Sequence, residues 1–227
     1  MLKIINGFPY KPRLDDFVKR NCIRTKDLEA FKLLLNQAVA IAQPKAAYLL
    51  GSIQRRSDEK VQINGIWFSS RILRVNLKPV NRIFAYVCTA GQEIAAWAGE
   101  LQDMLEKFWA DEIQSDLLQF AERALLEDIQ MQYDPGPLSS MSPGSLDDFP
   151  LDQQAPLFEL LGDTQASVGV ELHDNMFMTP AKTVSGILFA SKERFESCQL
   201  CPREDCPSRR AAYEPDLYER KYAAGHT

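Results

Sequence analysis

The sequence predicts an α+β fold: a mainly antiparallel, twisted sheet with flanking helices. Three observations lead there. Strand patterns and helical patterns both occur, but they do not alternate strictly along the chain, which disfavours a doubly wound parallel sheet. The pair Asn64–Gly65 inside KVQINGIWFSS is a strong short hairpin signal. A continuous apolar run at 83–88 reads as a buried strand.

Taken in order, residues 26–43 read as a helix. Leu28, Phe31, Leu34 or Leu35, Ala38 and Ala42 recur at three- and four-residue steps, and Pro44 stops them. Residues 46–50 are a short strand ended by Gly51. After the hairpin and the run at 83–88, residues 92–132 carry two apolar stripes. One is Ile94, Trp97, Leu101, Leu105 and Phe108; the other is Ile113, Leu117, Phe120, Ala124 and Ile129, with Asp111 between them as the expected break. Residues 133–150 hold Pro135, Pro137, Pro143, Pro150, Gly136 and Gly144, which exclude regular structure and mark a binding loop or a linker. LDQQAPLFELLG then gives a short helix, with Asp152 as cap and Gly162 as stop. Strands are expected at 167–172 and 183–190, joined through HDNMFMTPAK. A body of residues 1–190 and a Cys-rich extension of 191–227 follow.

With 227 residues the chain can bury a real core. A net charge of −5 and a pI near 5.2 argue against general nucleic-acid binding and against anionic lipid. The longest greasy stretch, FKLLLNQAVAIAQ, is interrupted by Lys32 and Asn36 and falls short of the roughly 20 apolar residues of a membrane span. The start, MLKIINGFPYKPRLDD, lacks the apolar core of a signal peptide, so a cytoplasmic location is expected. An odd cysteine count of five then points to free thiols or metal ligation rather than disulfides.

Generic catalytic machinery is sparse. No Gly-rich phosphate loop is present, and His173 and His226 are the only histidines, one in an Asp/Asn-rich turn and the other beside the C-terminus. The acidic pairs Asp147–Asp148 and Asp111–Glu112 read as solvated faces. Two regions stand out. In SCQLCPREDCPSRR, Cys198, Cys201 and Cys206 have the spacing of thiolates that grip one metal, either zinc or an iron–sulfur cluster. Pro202 and Pro207 stiffen its turns, and Cys88 or Cys22 could supply a fourth ligand. The other region is the turn Ser142, Pro143, Gly144, Ser145, where glycine lets a ligand approach the backbone, together with MFMTPAKTVSGILFA.

At these residues the sequence resembles the reactivation domain of cobalamin-dependent methionine synthase. The matching features are Pro143-Gly144, Glu159-Leu160-Leu161, Gly169-Val170-Glu171-Leu172, Met178-Thr179-Pro180 and Val184-Ser185-Gly186-Ile187-Leu188-Phe189. The resemblance implies a C-shaped α+β body that holds S-adenosylmethionine over the cobalamin of a partner, where an inactive cob(II)alamin is reduced by one electron and trapped by methylation. By that resemblance Ser142, Pro143, Gly144, Ser145, Met178, Pro180 and Lys182 are the ligand- or corrinoid-facing residues. The family's arginine and tyrosine are replaced here by Ser140 and Ser145, and serine cannot supply an arginine's fork to a carboxylate. The implied role is assistance, in trans, to a corrinoid-binding methyltransferase or methionine synthase; the cysteine tail, which lies outside the resemblance, is then read as an iron–sulfur site that delivers the electron. The alternatives are a non-enzymatic corrinoid-protein binding module stapled by zinc, and the same fold with a different small ligand.

Overall fold

The computed structural model describes residues 1–206 and 209–223; His226 and Pro207 lie outside them. Its strands are β1 (Lys3–Ile5), β2 (Lys45–Arg56), β3 (Lys60–Ile63), β4 (Ile66–Ser69), β5 (Arg82–Thr89), β6 (Leu138–Met141), β7 (Glu171–Leu172), β8 (Met178–Thr179) and β9 (Thr183–Ala190). Its helices are α1 (Leu14–Arg20), α2 (Leu28–Ile41), α3 (Arg71–Asn76), α4 (Gln92–Glu100), α5 (Met104–Tyr133), α6 (Gln154–Leu161), α7 (Thr164–Val168) and α8 (Leu217–Lys221).

The predicted fold class is the observed one. Seven strands form a curled antiparallel sheet in the order β4-β3-β2-β5-β9-β6, with β1 added beside β2. The β3–β4 hairpin turns at Asn64 and Gly65, whose φ values are 47° and 91°. Strand β5 is central and buried on both faces. Its alternate residues Phe84, Tyr86 and Cys88 face α5 with Ala121, Leu125 and Ile129. Ile83, Ala85 and Val87 face the main core with Phe149, Leu157 and Phe189. Nearer its N-terminus α5 uses Trp109, Ile113 and Leu117 to cover Phe31, Leu34 and Ala38 of α2. One continuous helix of about 45 Å therefore backs both the sheet and a helical layer.

Several local expectations are corrected. The helix break falls at 101–103 and not at Asp111, because the Asp103 carboxylate accepts the amides of Leu105 and Glu106 at 2.9 and 3.0 Å and restarts the helix. Leu105 and Phe108 of the first stripe lie beyond that break and are exposed. Gly51 does not end its strand. A Cβ there would sit 2.7 Å from Ile63 Cγ2 and 3.1 Å from Ile83 Cδ1, so glycine lets β2 run through a tight crossing. Residues 133–150 are not wholly irregular: the proline-free stretch Leu138–Met141 pairs with β9, with Met141 opposite Ile187. Of the strand expected at 167–172 only Glu171–Leu172 forms; residues 167 and 168 end the helix Thr164–Val168, which is capped at its start by the Asp163 carboxylate accepting the Ala166 amide and ended by Gly169 in the left-handed region. Asp152 caps nothing; it accepts from Gln153 Nε2 while a 3₁₀ turn leads into α6.

The tail packs onto the body. Phe195, Leu217 and Tyr222 are buried in the main core cluster. Arg71 donates to the carbonyls of Tyr222 and Ala223.

Candidate functional site

At one edge of the sheet, where β6 pairs with β9 and α5 crosses behind, a cleft of about 420 Å³ opens. That size falls within the range of small-molecule sites, roughly 300–1,000 Å³. Its apolar wall is Leu125, Leu138 and Leu188. Its polar groups include Ser140, Tyr86, Gln130 and the charged Glu122, Glu127, Glu196, Arg194 and Arg210. Elements far apart in sequence meet here: β6 supplies Ser140, α5 the carboxylates Glu122 and Glu127, and the tail Arg194, Glu196 and Arg210.

Strand geometry explains part of this. Ser140 pairs with Leu188 across the β6–β9 ladder, and its hydroxyl lies 3.2 Å from the Tyr86 phenol. Burial pushes the Tyr86 hydroxyl up to about 12, so it stays protonated and can donate into the cleft. Glu196 bridges back to Ser140 and is flanked by Arg194 at 3.2 Å and Arg210 at 3.6 Å. Burial raises the Glu122 carboxyl above its ordinary value of 4.5, opposed by Arg210 and Arg123, and it has no hydrogen-bonding or ion-pair partner among the described residues.

Glu122 therefore makes a prediction with a definite sign. Between the unfolded value and the raised folded one, the folded protein keeps a proton that the unfolded chain has lost, so stability falls as pH rises through that window. E122Q removes this pH dependence. Its melting temperature should match the parent's below the unfolded value and exceed it above the folded one. Parallel curves at every pH would refute the assignment.

The other candidates are placed as follows. Ser142, Pro143, Gly144 and Ser145 form one tight turn: Ser145 Oγ donates to Ser142 O at 2.6 Å, and the Gly144 amide to Phe149 O at 2.8 Å. The Ser145 hydroxyl also reaches Ser197 Oγ at 3.2 Å, tying this turn to the cysteine segment. Met178 opens β8 opposite Leu172, and Pro180 is buried just after that strand, following a cis bond. Lys182 pairs with Asp111 at 2.9 Å. None of these seven lines the cleft. His173 sits in the β7–β8 hairpin, with Nε2 2.6 Å from Thr179 Oγ1. Asp148 is structural: it accepts from the Ser70 hydroxyl and from the Arg71 and Ile72 amides at the start of α3.

The cysteine segment opens with a 3₁₀ turn over Ser197–Leu200, closed by reciprocal bonds between Glu196 and Gln199. Beyond it the Arg209 guanidinium donates to the carbonyls of Cys198 and Cys201 at 3.1 Å, Ala211 at 3.2 Å, and Arg203. All five cysteines are free thiols. Among the described residues no three or more His, Cys, Asp or Glu side chains are placed to hold a metal ion. Cys88 is fully buried within the sheet, which pushes its thiol up.

The sequence marks Ser140 only as the position where the family's arginine is replaced, and it gives no sign of Glu122, Arg194, Glu196 and Arg210. Each reads locally as an ordinary surface charge, and only the return of the tail onto β6 brings them together.

A curled antiparallel half-barrel with flanking helices defines the class of α+β protein to which this architecture belongs. Within it, the chain is similar to a solved structure described as the crystal structure of the MetH reactivation domain bound to AdoHcy. The two superpose with a TM-score of 0.66 and 14% identity over 86% of this chain and 80% of that one. At that identity the likeness is one of fold. No family model matches the chain, and no curated protein matches it. Among the described residues no helix is long and apolar enough to cross a membrane.

Proposed function

We propose that this chain binds S-adenosylmethionine in the cleft and assists, in trans, the reductive reactivation of a cobalamin-dependent methyltransferase such as methionine synthase. One observation carries the reading. Ser140, on the strand leading into the Pro143-Gly144 turn, lies in the wall of a ligand-sized cleft, in a chain that shares its fold with a domain solved with AdoHcy. The cleft suits such a ligand. Three carboxylates against two guanidinium groups favour a molecule with a net positive charge, and the leucine wall can take its apolar body.

The chain's own contribution is binding and orientation. A cobalamin on the partner would supply the methyl-accepting metal, and the protein's part is to hold the methyl donor at a fixed place and angle. Ser142, Pro143, Gly144, Ser145, Met178, Pro180 and Lys182 are proposed to face the corrinoid partner rather than the methyl donor, since the cleft is built from other residues. The expected location is the cytoplasm.

Spacing supports a metal role for Cys198, Cys201 and Cys206. Their placement does not fit one, because the segment is closed around Arg209 and the thiols form no ligand group. No electron-transfer step is therefore derived through them. Anaerobic purification with iron, zinc and sulfide analysis tests the point: stoichiometric iron and sulfide would restore the redox role, and stoichiometric zinc the staple.

Calorimetric titration of the purified chain with S-adenosylmethionine and with AdoHcy tests the main reading. Saturable one-to-one binding of the sulfonium ligand is expected. Flat titrations with both would overturn it.

A further inference from the structure

Two adjacent arginines of the tail have opposite situations. The Arg209 guanidinium is engaged by four backbone carbonyls of the cysteine segment. The Arg210 guanidinium lines the cleft, forms no hydrogen bond among the described residues, and stands 3.6 Å from Glu196 Oε2. Arg194 shares that carboxylate but already hydrogen-bonds it at 3.2 Å. Arg210 thus keeps its whole fork of donors without a hydrogen bond among the described residues, the geometry that receives a carboxylate or similar anion.

The backbone of Arg210 is held by a cysteine. Its amide donates to Cys198 Sγ at 3.4 Å, and the Cys198 carbonyl takes the neighbouring Arg209 guanidinium at 3.1 Å. Cys198 belongs to the 3₁₀ turn that is anchored to the body through Ser197 and the Ser145 hydroxyl.

We propose that Arg210 receives the anionic group of the ligand bound in the cleft, and that Cys198 is the residue positioning it. The ligand class is a small molecule with a carboxylate at one end and a cation for the Glu122 side at the other. This rests on the reading of the cleft as a site for an amino-acid-bearing ligand. It assigns the cysteine segment a job in the cleft that needs no metal.

Titration of the full chain with S-adenosylmethionine tests it. R210A should weaken binding by about 10- to 30-fold, and R210K, which keeps the charge but not the fork, by less. C198A should cost about 3- to 10-fold, and the double variant should bind no worse than R210A alone, because the two act through one contact. C198S, whose hydroxyl still accepts the Arg210 amide, should recover affinity, an effect that a merely structural loss would not show. R210A within about twofold of the parent overturns the assignment of Arg210. Independent, multiplying effects of C198A and R210A overturn the positioning role of Cys198. A parent that binds no S-adenosylmethionine overturns the underlying reading together with this inference, so the failures are distinguishable.

Discussion

Tyr222→Ala is expected to destabilise the protein by about 3–5 kcal/mol, the cost of truncating a fully buried aromatic side chain. Tyr222 is 0% exposed, near the end of the described chain, and packs in the main core with Phe195 at a ring separation of 6.2 Å. Its hydroxyl donates to Asn76 Oδ1 at 2.8 Å, so truncation also strands a buried acceptor on α3. Tyr222→Phe keeps the ring and loses the bond, and should cost about 1–2 kcal/mol. The ratio of the two separates packing from polarity. Urea unfolding reads both. A loss below about 1 kcal/mol for the alanine variant would mean that the tail is only loosely docked. The consequence reaches the cleft, because the tail between Phe195 and Tyr222 carries Arg210 and is held to the body by these aromatics.

Gly186→Ala should be the other severe substitution. An added Cβ would stand 2.7 Å from Ser142 Oγ, 2.8 Å from the Met141 carbonyl oxygen and 3.0 Å from Tyr86 Cε1. A hydroxyl can rotate away, but a ladder carbonyl cannot. Relief requires β6 to move off β9, and a cost of about 1–3 kcal/mol or more follows from overpacking of this kind. The same movement pulls Ser140 from Tyr86 and deforms the cleft wall, so weaker binding of S-adenosylmethionine should accompany the lost stability. Gly99→Ala is the internal control. Nothing lies within 4 Å of its added Cβ, and alanine in a helix is favoured over glycine by about 0.5–1 kcal/mol. Equal stability of the Gly186 and Gly99 variants would show that the β6–β9 approach is softer than its geometry implies.

The elements that were legible from sequence are those whose signal is local. The α2 periodicity ends at Pro44, the Asn64–Gly65 hairpin has its turn chemistry in two residues, and β5 and β9 are short apolar runs. Misreadings arose where a local rule met a longer-range one. The pattern Val168, Val170, Leu172 alternates like a strand, yet caps at Asp163 and Gly169 make its first part a helix. Residues 138–141 look like part of a Pro/Gly loop, but their backbone groups find β9 as a partner. Gly51 looks like punctuation and is instead the thin point of a crossing.

By itself the sequence determined the fold class, the order of most elements, and the Pro143-Gly144 and Val184-Ser185-Gly186 features that carry the resemblance to a reactivation domain. Those depend on periodicity, caps and turns, which act over a few residues. Only the tertiary structure decided the composition of the cleft. Glu122, Ser140, Glu196 and Arg210 span nearly ninety positions, and no local rule relates them. They meet because burial of Phe195, Leu217 and Tyr222 folds the tail back over the β6 edge, and apolar burial, being non-directional, leaves no mark on the charged residues it carries into place.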